Sequence, residues 1–130
     1  MRGAIVVVGS HCVGKSRTLN NHLKPLLGMN PSDNGFCVNN VYGFLWSQTI
    51  EECEADPCIR IGDRRTYDLL VVPARPRWED VTQLDNVIRV LNIYGYTWQE
   101  IYIRGGMVDG YYELQANAMH SLLQEFTQAS

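Results

Sequence analysis

The chain has 130 residues, 45% of them hydrophobic, which suits one compact domain with a core of its own. A formal net charge of -3 argues against general affinity for nucleic acid or for anionic membrane. No run approaches the roughly 18 apolar residues of a membrane helix, and no basic stretch followed by a short apolar one opens the chain, so a cytoplasmic protein with reduced cysteines is expected.

The first element is a strand. Ile5 to Val8 is an apolar, β-branched run of the kind buried on both faces. It passes directly into Gly9-Ser10-His11-Cys12-Val13-Gly14-Lys15-Ser16, which fits the pattern Gly, four residues, Gly-Lys-Ser. The spacing has a chemical reason. Gly9 and Gly14 permit backbone conformations that a side chain would block, so that successive N–H groups can curl around a phosphate. Lys15 is a point charge for the β- and γ-phosphates, Ser16 is a hydroxyl ligand for Mg²⁺, and the helix opening at Lys15 adds its positive end. The expected phosphate-binding set is Gly9, Ser10, His11, Cys12, Val13, Gly14, Lys15, Ser16 and Arg17. The alternative is a glycine-rich turn that binds nothing. Cys12, at a helix N-terminus beside Lys15, is placed to favour a thiolate reactive toward alkylators without being catalytic.

Ser16 to Leu27 reads as a helix with Leu19, Leu23 and Leu26/Leu27 on one face, strained at Pro25 and stopped by Gly28. Met29 to Gly35 is a loop on turn chemistry. Phe36 to Trp46 admits a short strand, a substrate wall or the start of a helix. Ser47 to Ala55 predicts a helix, from Thr49 with a carboxylate three residues on, and the acidic cluster Glu51, Glu52, Glu54 reads as its solvated face. Cys58 to Asp63 alternates like a short strand. Tyr67 to Val72 predicts a second central strand, broken at Pro73-Ala74-Arg75-Pro76-Arg77. Glu79 to about Tyr94 predicts a helix with the stripe Val81, Leu84, Ile88, Leu91, closed by Gly95. Trp98 to Arg104 is a further strand, ended by Gly105-Gly106, and Val108 to Gln128 a long helix with Leu114, Ala118, Leu122 and Phe126 four apart. Strands alternating with helices imply a parallel sheet covered on both faces, with ligands at the carboxyl ends of the strands. No linker or repeat interrupts residues 1–130, so a single domain is expected.

Cys37, Cys53 and Cys58 include one pair at a spacing zinc sites can use, but no second tight pair follows and His11, His22 and His120 are scattered. Ordinary buried thiols are the expectation.

The strand Tyr67-Asp68-Leu69-Leu70-Val71-Val72, the Pro-bracketed turn with Trp78-Glu79-Asp80, the helix after it and the strand ending in Gly105-Gly106 resemble one branch of P-loop ATPases, the ribosylnicotinamide-kinase-like proteins near the nucleoside and nucleotide kinases. The resemblance implies a three-layer α/β/α P-loop NTPase fold with a reduced parallel sheet, ATP and Mg²⁺ as cofactors, and a small-molecule acceptor, a nucleoside or nucleotide. It also makes Asp63-Arg64 similar to the acidic Asp-Arg pair such kinases use near the acceptor hydroxyl and the metal. The implied catalytic residues are Lys15, Asp63 and Arg64, and the implied metal ligands Ser16 and Asp63, the latter positioning the acceptor or binding the metal through water. Among Arg60, Arg64, Arg65, Arg75 and Arg77, one contact to phosphate competes with an ordinary solvated loop. Trp78 and Tyr42 either stack on a base or are buried. Gly105 and Gly106 either let the backbone approach a base or simply make a tight turn. Rival readings are a nucleotide hydrolase acting as a switch or motor, and a non-catalytic nucleotide- or partner-binding protein. The guanine-reading Asn-Lys-x-Asp motif is absent from the sequence.

Overall fold

The computed structural model describes residues 2–10, 14–52 and 56–128. Its centre is a five-stranded sheet in the order β2-β3-β4-β1-β5, formed by β1 (Gly3–Val8), β2 (Gly35–Val38), β3 (Val41–Leu45), β4 (Leu69–Ala74) and β5 (Thr97–Tyr102). β3, β4, β1 and β5 run parallel, and β2 returns antiparallel on β3. The fold is therefore α/β with a mostly parallel sheet.

β1 explains the layering. Its side chains alternate between two cores, as a strand's two-residue period requires. Ile5 and Val7 meet Leu19 and Leu23 of the first helix and Ala116, Met119 and Leu123 of the last. Ala4, Val6 and Val8 meet Ile61, Leu84, Val87 and Leu91 on the opposite side. The first helix, α1, is π-helical over Arg17–Leu23 and α-helical over Lys24–Leu26. The Lys24 N–H reaches the Leu19 carbonyl five residues back, just before Pro25, which has no N–H to continue the ladder. Gly28 and Gly95, at φ 71° and 79°, end the helices that precede them. No described helix is long and apolar enough to cross a membrane.

Residues 35–45 resolve the open alternatives as a hairpin. Asn39 and Asn40 both take positive φ, 50° and 67°, the geometry whose twist matches paired strands. Residues 47–52, expected to be helical, are bends and turns, and the remainder of that expected helix, 53–55, lies outside the described residues. The helix comes later. α2 (Pro57–Gly62) occupies the stretch whose alternation predicted a strand: Asp56 accepts from the Cys58 N–H at 2.9 Å and Pro57 supplies the first turn. The alternation misled because Ile59 is 62% exposed and only Ile61 is held in the core.

β4 runs through Pro73, where a break was expected. The Val71 carbonyl accepts from Trp46, on the β3 side, and the Ala74 carbonyl from Gly9, on the β1 side. Pro73, two residues beyond Val71, thus faces the β3 side past the last residue of that strand, Leu45, so its missing N–H costs no rung. α3 spans Leu84–Ile93, five residues shorter at its start than predicted. α4 spans Asp109–Gln128 and buries Tyr112, Ala116, Met119, Leu123 and Phe126. Of the expected stripe only Phe126 is buried, and Leu114 is 69% exposed. A strict spacing of four drifts around a 3.6-residue helix, whereas alternating fours and threes stay on one face. Cys37 and Cys58, expected to be buried, are exposed free thiols, and Cys53 lies outside the described residues. Among the described residues no group of three His, Cys, Asp or Glu is arranged to hold a metal.

Candidate functional site at the carboxyl ends of the parallel strands

The segment Gly9–Ser16 leaves β1 at its carboxyl end. Gly9 is buried and donates its N–H to the Ala74 carbonyl at 3.2 Å, which ties the segment to the end of β4. His11, Cys12 and Val13 lie outside the described residues. Gly14 has φ 104°, and a Cβ there would stand 2.6 Å from Cε1 of Tyr112. Only glycine satisfies both constraints. The Gly14 carbonyl then accepts from the Thr18 N–H at 2.9 Å and Oγ1 at 2.8 Å, which starts the helix. Arg17 stands 5.3 Å above the Tyr112 ring.

Lys15 is buried, with its Nζ donating to the carbonyl of Gly9 and, at 3.4 Å, to that of Ser10. Burial pushes its pKa below the ordinary lysine value, and the charges of Glu52, Glu51 and Glu79 partly offset that, while Arg75 adds to it. These four residues come from the loops after β3 and β4, which open on the same face as the end of β1. Ser16 is exposed, and its Oγ accepts from Asn20 at 3.0 Å.

Glu51 organises this face. It is 7% exposed, and its carboxylate accepts from the Arg75 N–H at 3.1 and 3.2 Å and from the Gln83 N–H at 2.6 Å. Reading it as part of a solvated helix face was wrong, and nothing in the local sequence distinguishes it from Glu52. The chain from Arg75 to Gln83 wraps around this carboxylate, which delays the start of α3. Within the wrap, Glu79 Oε2 and Arg75 Nε are buried with no hydrogen-bond partner among the described residues.

Asp63 and Arg64 are not among the charged groups that act on Lys15. Asp63 is exposed and caps the C-terminal end of α2. The preceding Gly62 abuts the Tyr94 hydroxyl, and the Tyr94 carbonyl accepts from Arg2, which precedes β1. The Arg64 guanidinium sits 4.5 Å above Phe44, which pairs with Leu70 near the start of β4. Arg64 also lines a small cavity with Ser47 and Gln48, just past the carboxyl end of β3, whereas Asp63 lies toward the amino ends of the strands, about a strand's length of 15–20 Å from Gly9. The same is true of Tyr42, whose carbonyl receives the Asp68 N–H before β4 begins. Of the other arginines, Arg65 donates to the Gly62 carbonyl at 2.8 Å and Arg60 lines a small cavity with Arg64 and Trp46. Arg77 is taken up by Asp85 and Glu100, both at 2.8 Å. Arg75 is the one placed to act on Lys15.

Gly105 and Gly106 follow β5 on the same face as Gly9. The Tyr112 hydroxyl donates to the Arg104 carbonyl at 3.1 Å and accepts from the Met107 N–H at 3.3 Å, so one side chain braces both this loop and Gly14. Gly106 has φ 72°, as a tight turn requires. A cavity of about 550 Å³ lies between Gly9, Ser10, Trp78, Tyr102, Ile103 and Gly105. A second, also about 550 Å³, is bounded by Ile50, Glu51, Asp56, Gln83, Asn86 and Arg89.

No family model matches the chain, and no curated protein or solved structure compared with it is similar to it.

Proposed function

We propose that the chain is a P-loop nucleotide-binding domain that transfers the terminal phosphoryl group of ATP to a small acceptor, a nucleoside or nucleotide. One observation carries this reading: Lys15, buried at the carboxyl end of β1, bonded to the carbonyls of its own loop and within the electrostatic reach of Glu52, Glu51, Glu79 and Arg75. A lysine so placed, on a loop whose Gly14 tolerates no side chain, suits the β- and γ-phosphates. Arg75, rather than Arg64, is the guanidinium available to the transferred group. Mg²⁺ fits the residues present: the Ser16 hydroxyl and the Glu79 carboxylate, whose Oε2 is buried without a partner among the described residues, would hold it in place of the expected Ser16 and Asp63. Bound there, Mg²⁺ supplies neutralisation of phosphate charge. The cavity beside Glu51 is the acceptor's place in this reading, with Arg89 available to an anionic group and Asn86 and Gln83 to hydroxyls.

Thermal shift and initial rates test the proposal. ATP with Mg²⁺ raises the melting temperature by mass action, and Lys15→Ala removes most of that shift while the unliganded variant stays folded. A shift unchanged in the variant would put the nucleotide elsewhere. Turnover that requires a nucleoside or nucleotide acceptor marks transfer. A second reading, hydrolysis or binding without transfer, is favoured by the place of Asp63 at the far end of α2, and ATP consumption without any acceptor would select hydrolysis.

A further inference from the structure

Trp78 and Tyr102 form the outer wall of the cavity that opens from Gly9 and Ser10. Both are exposed, Trp78 by 72% and Tyr102 by 43%, whereas aromatic rings this large are generally packed away. They are not loose. Their rings lie 6.4 Å apart at 22°, close to parallel. Tyr102 is fixed through its hydroxyl, which receives the Arg77 Nη1 bond at 3.2 Å and donates to Glu100 at 3.1 Å. Arg77 is itself clamped by Asp85 and Glu100, so the pair stands on an ion-paired support one residue from Trp78. Across the cavity, no hydrogen bond among the described residues uses the N–H or C=O of Gly105 or Gly106.

We propose that this cavity takes the base and ribose of the nucleotide whose phosphates lie on Gly9–Ser16, with the base stacked on the Trp78–Tyr102 pair and its edge facing the Gly105 backbone. The inference rests on the nucleotide-binding reading and adds the base to it. Three features point the same way. The volume of about 550 Å³ is in the range of small-ligand sites. Trp78, 72% exposed and stacked on Tyr102 behind it, offers a braced flat π-face, which every base can stack on. The Gly105 N–H and C=O, used by no hydrogen bond among the described residues, can pair with a base edge. Stacking supplies the affinity and tolerates any base, while the backbone edge supplies the choice among them.

The test compares ATP with inorganic triphosphate, which has no base, by calorimetry in the presence of Mg²⁺. Trp78→Ala is expected to weaken ATP at least fivefold and up to about 150-fold, the range for loss of one stacking ring, and to leave triphosphate unchanged. Tyr102→Ala should act likewise, and Tyr102→Phe, which keeps the ring and loses the hydroxyl bonds, should stay much closer to wild type. Trp78 is exposed, so its replacement should leave the melting temperature of the free protein in place. ATP and triphosphate weakened equally, or ATP unaffected by both ring deletions, would overturn the stacking site. If wild type binds neither compound, the phosphate-binding reading itself falls, and the base site with it.

Discussion

Lys15 is the buried cation of the proposed site, and its burial has a consequence for pH. Desolvation holds its folded pKa below 10.5, the ordinary lysine value. Between those two values the unfolded chain binds more protons than the folded one. Stability attributable to this residue therefore rises with pH across that window, and the cost of burying the charge is fully present below it. Relative to Lys15→Met, wild type should become more stable as pH rises toward 10.5, measured by denaturant melts at several pH values. Nucleotide affinity should run the other way, because phosphate favours the charged amine. Triphosphate binding is expected to fall over the same window, earlier than an ordinary lysine would titrate, and an affinity flat to pH 10.5 would remove Lys15 from the contact.

At the scale of elements, the loop between β4 and α3 is shaped by one distant carboxylate. Glu51 lies 24 residues from Arg75 and 32 from Gln83, and it accepts the backbone N–H of each. Removing a buried charged acceptor strands both donors, a loss of about 1.5–3 kcal/mol per charged hydrogen bond. Glu51→Ala should thus cost about 3 kcal/mol or more in chemical unfolding. Glu51→Gln, which keeps one carbonyl oxygen, should cost clearly less. The same variant should weaken nucleotide binding, since Arg75, Trp78 and Glu79 all ride on the loop that Glu51 holds. A stable Glu51→Ala with full nucleotide affinity would show that the loop is shaped by something else.

For the whole molecule the deciding fact is which end of the sheet a residue reaches. Four parallel strands point their carboxyl ends to one face, so the loops after β1, β3, β4 and β5 converge there. α2 starts from that face and carries the chain back, which leaves Asp63 at the opposite end. Asp63→Asn is therefore expected to leave both ATP affinity and turnover within about twofold of wild type, as surface substitutions away from a site commonly do. A large drop in turnover with affinity retained would place Asp63 at the reacting group and require α2 to move.

Some of this was legible along the chain. The apolar run before Gly9, the Gly14-Lys15-Ser16 spacing, the strand at Leu69–Val72 and the stops at Gly28 and Gly95 are local signals, set by burial on both strand faces and by backbone freedom at glycine. The asparagine pair at 39–40 is a local signal as well, a turn between β-branched residues. Other features had no local trace. Which carboxylate is buried, whether Cys58–Gly62 coils or extends, and which arginine reaches Lys15 depend on partners tens of residues away. The short alternating stretch at 58–63 holds too few core contacts to choose its own conformation. Asp56 and Pro57 capped it as a helix, and packing of Ile61 decided its place. Trp78 and Tyr102, 24 positions apart in the sequence, became neighbours only because β4 and β5 flank β1 and end on the same face.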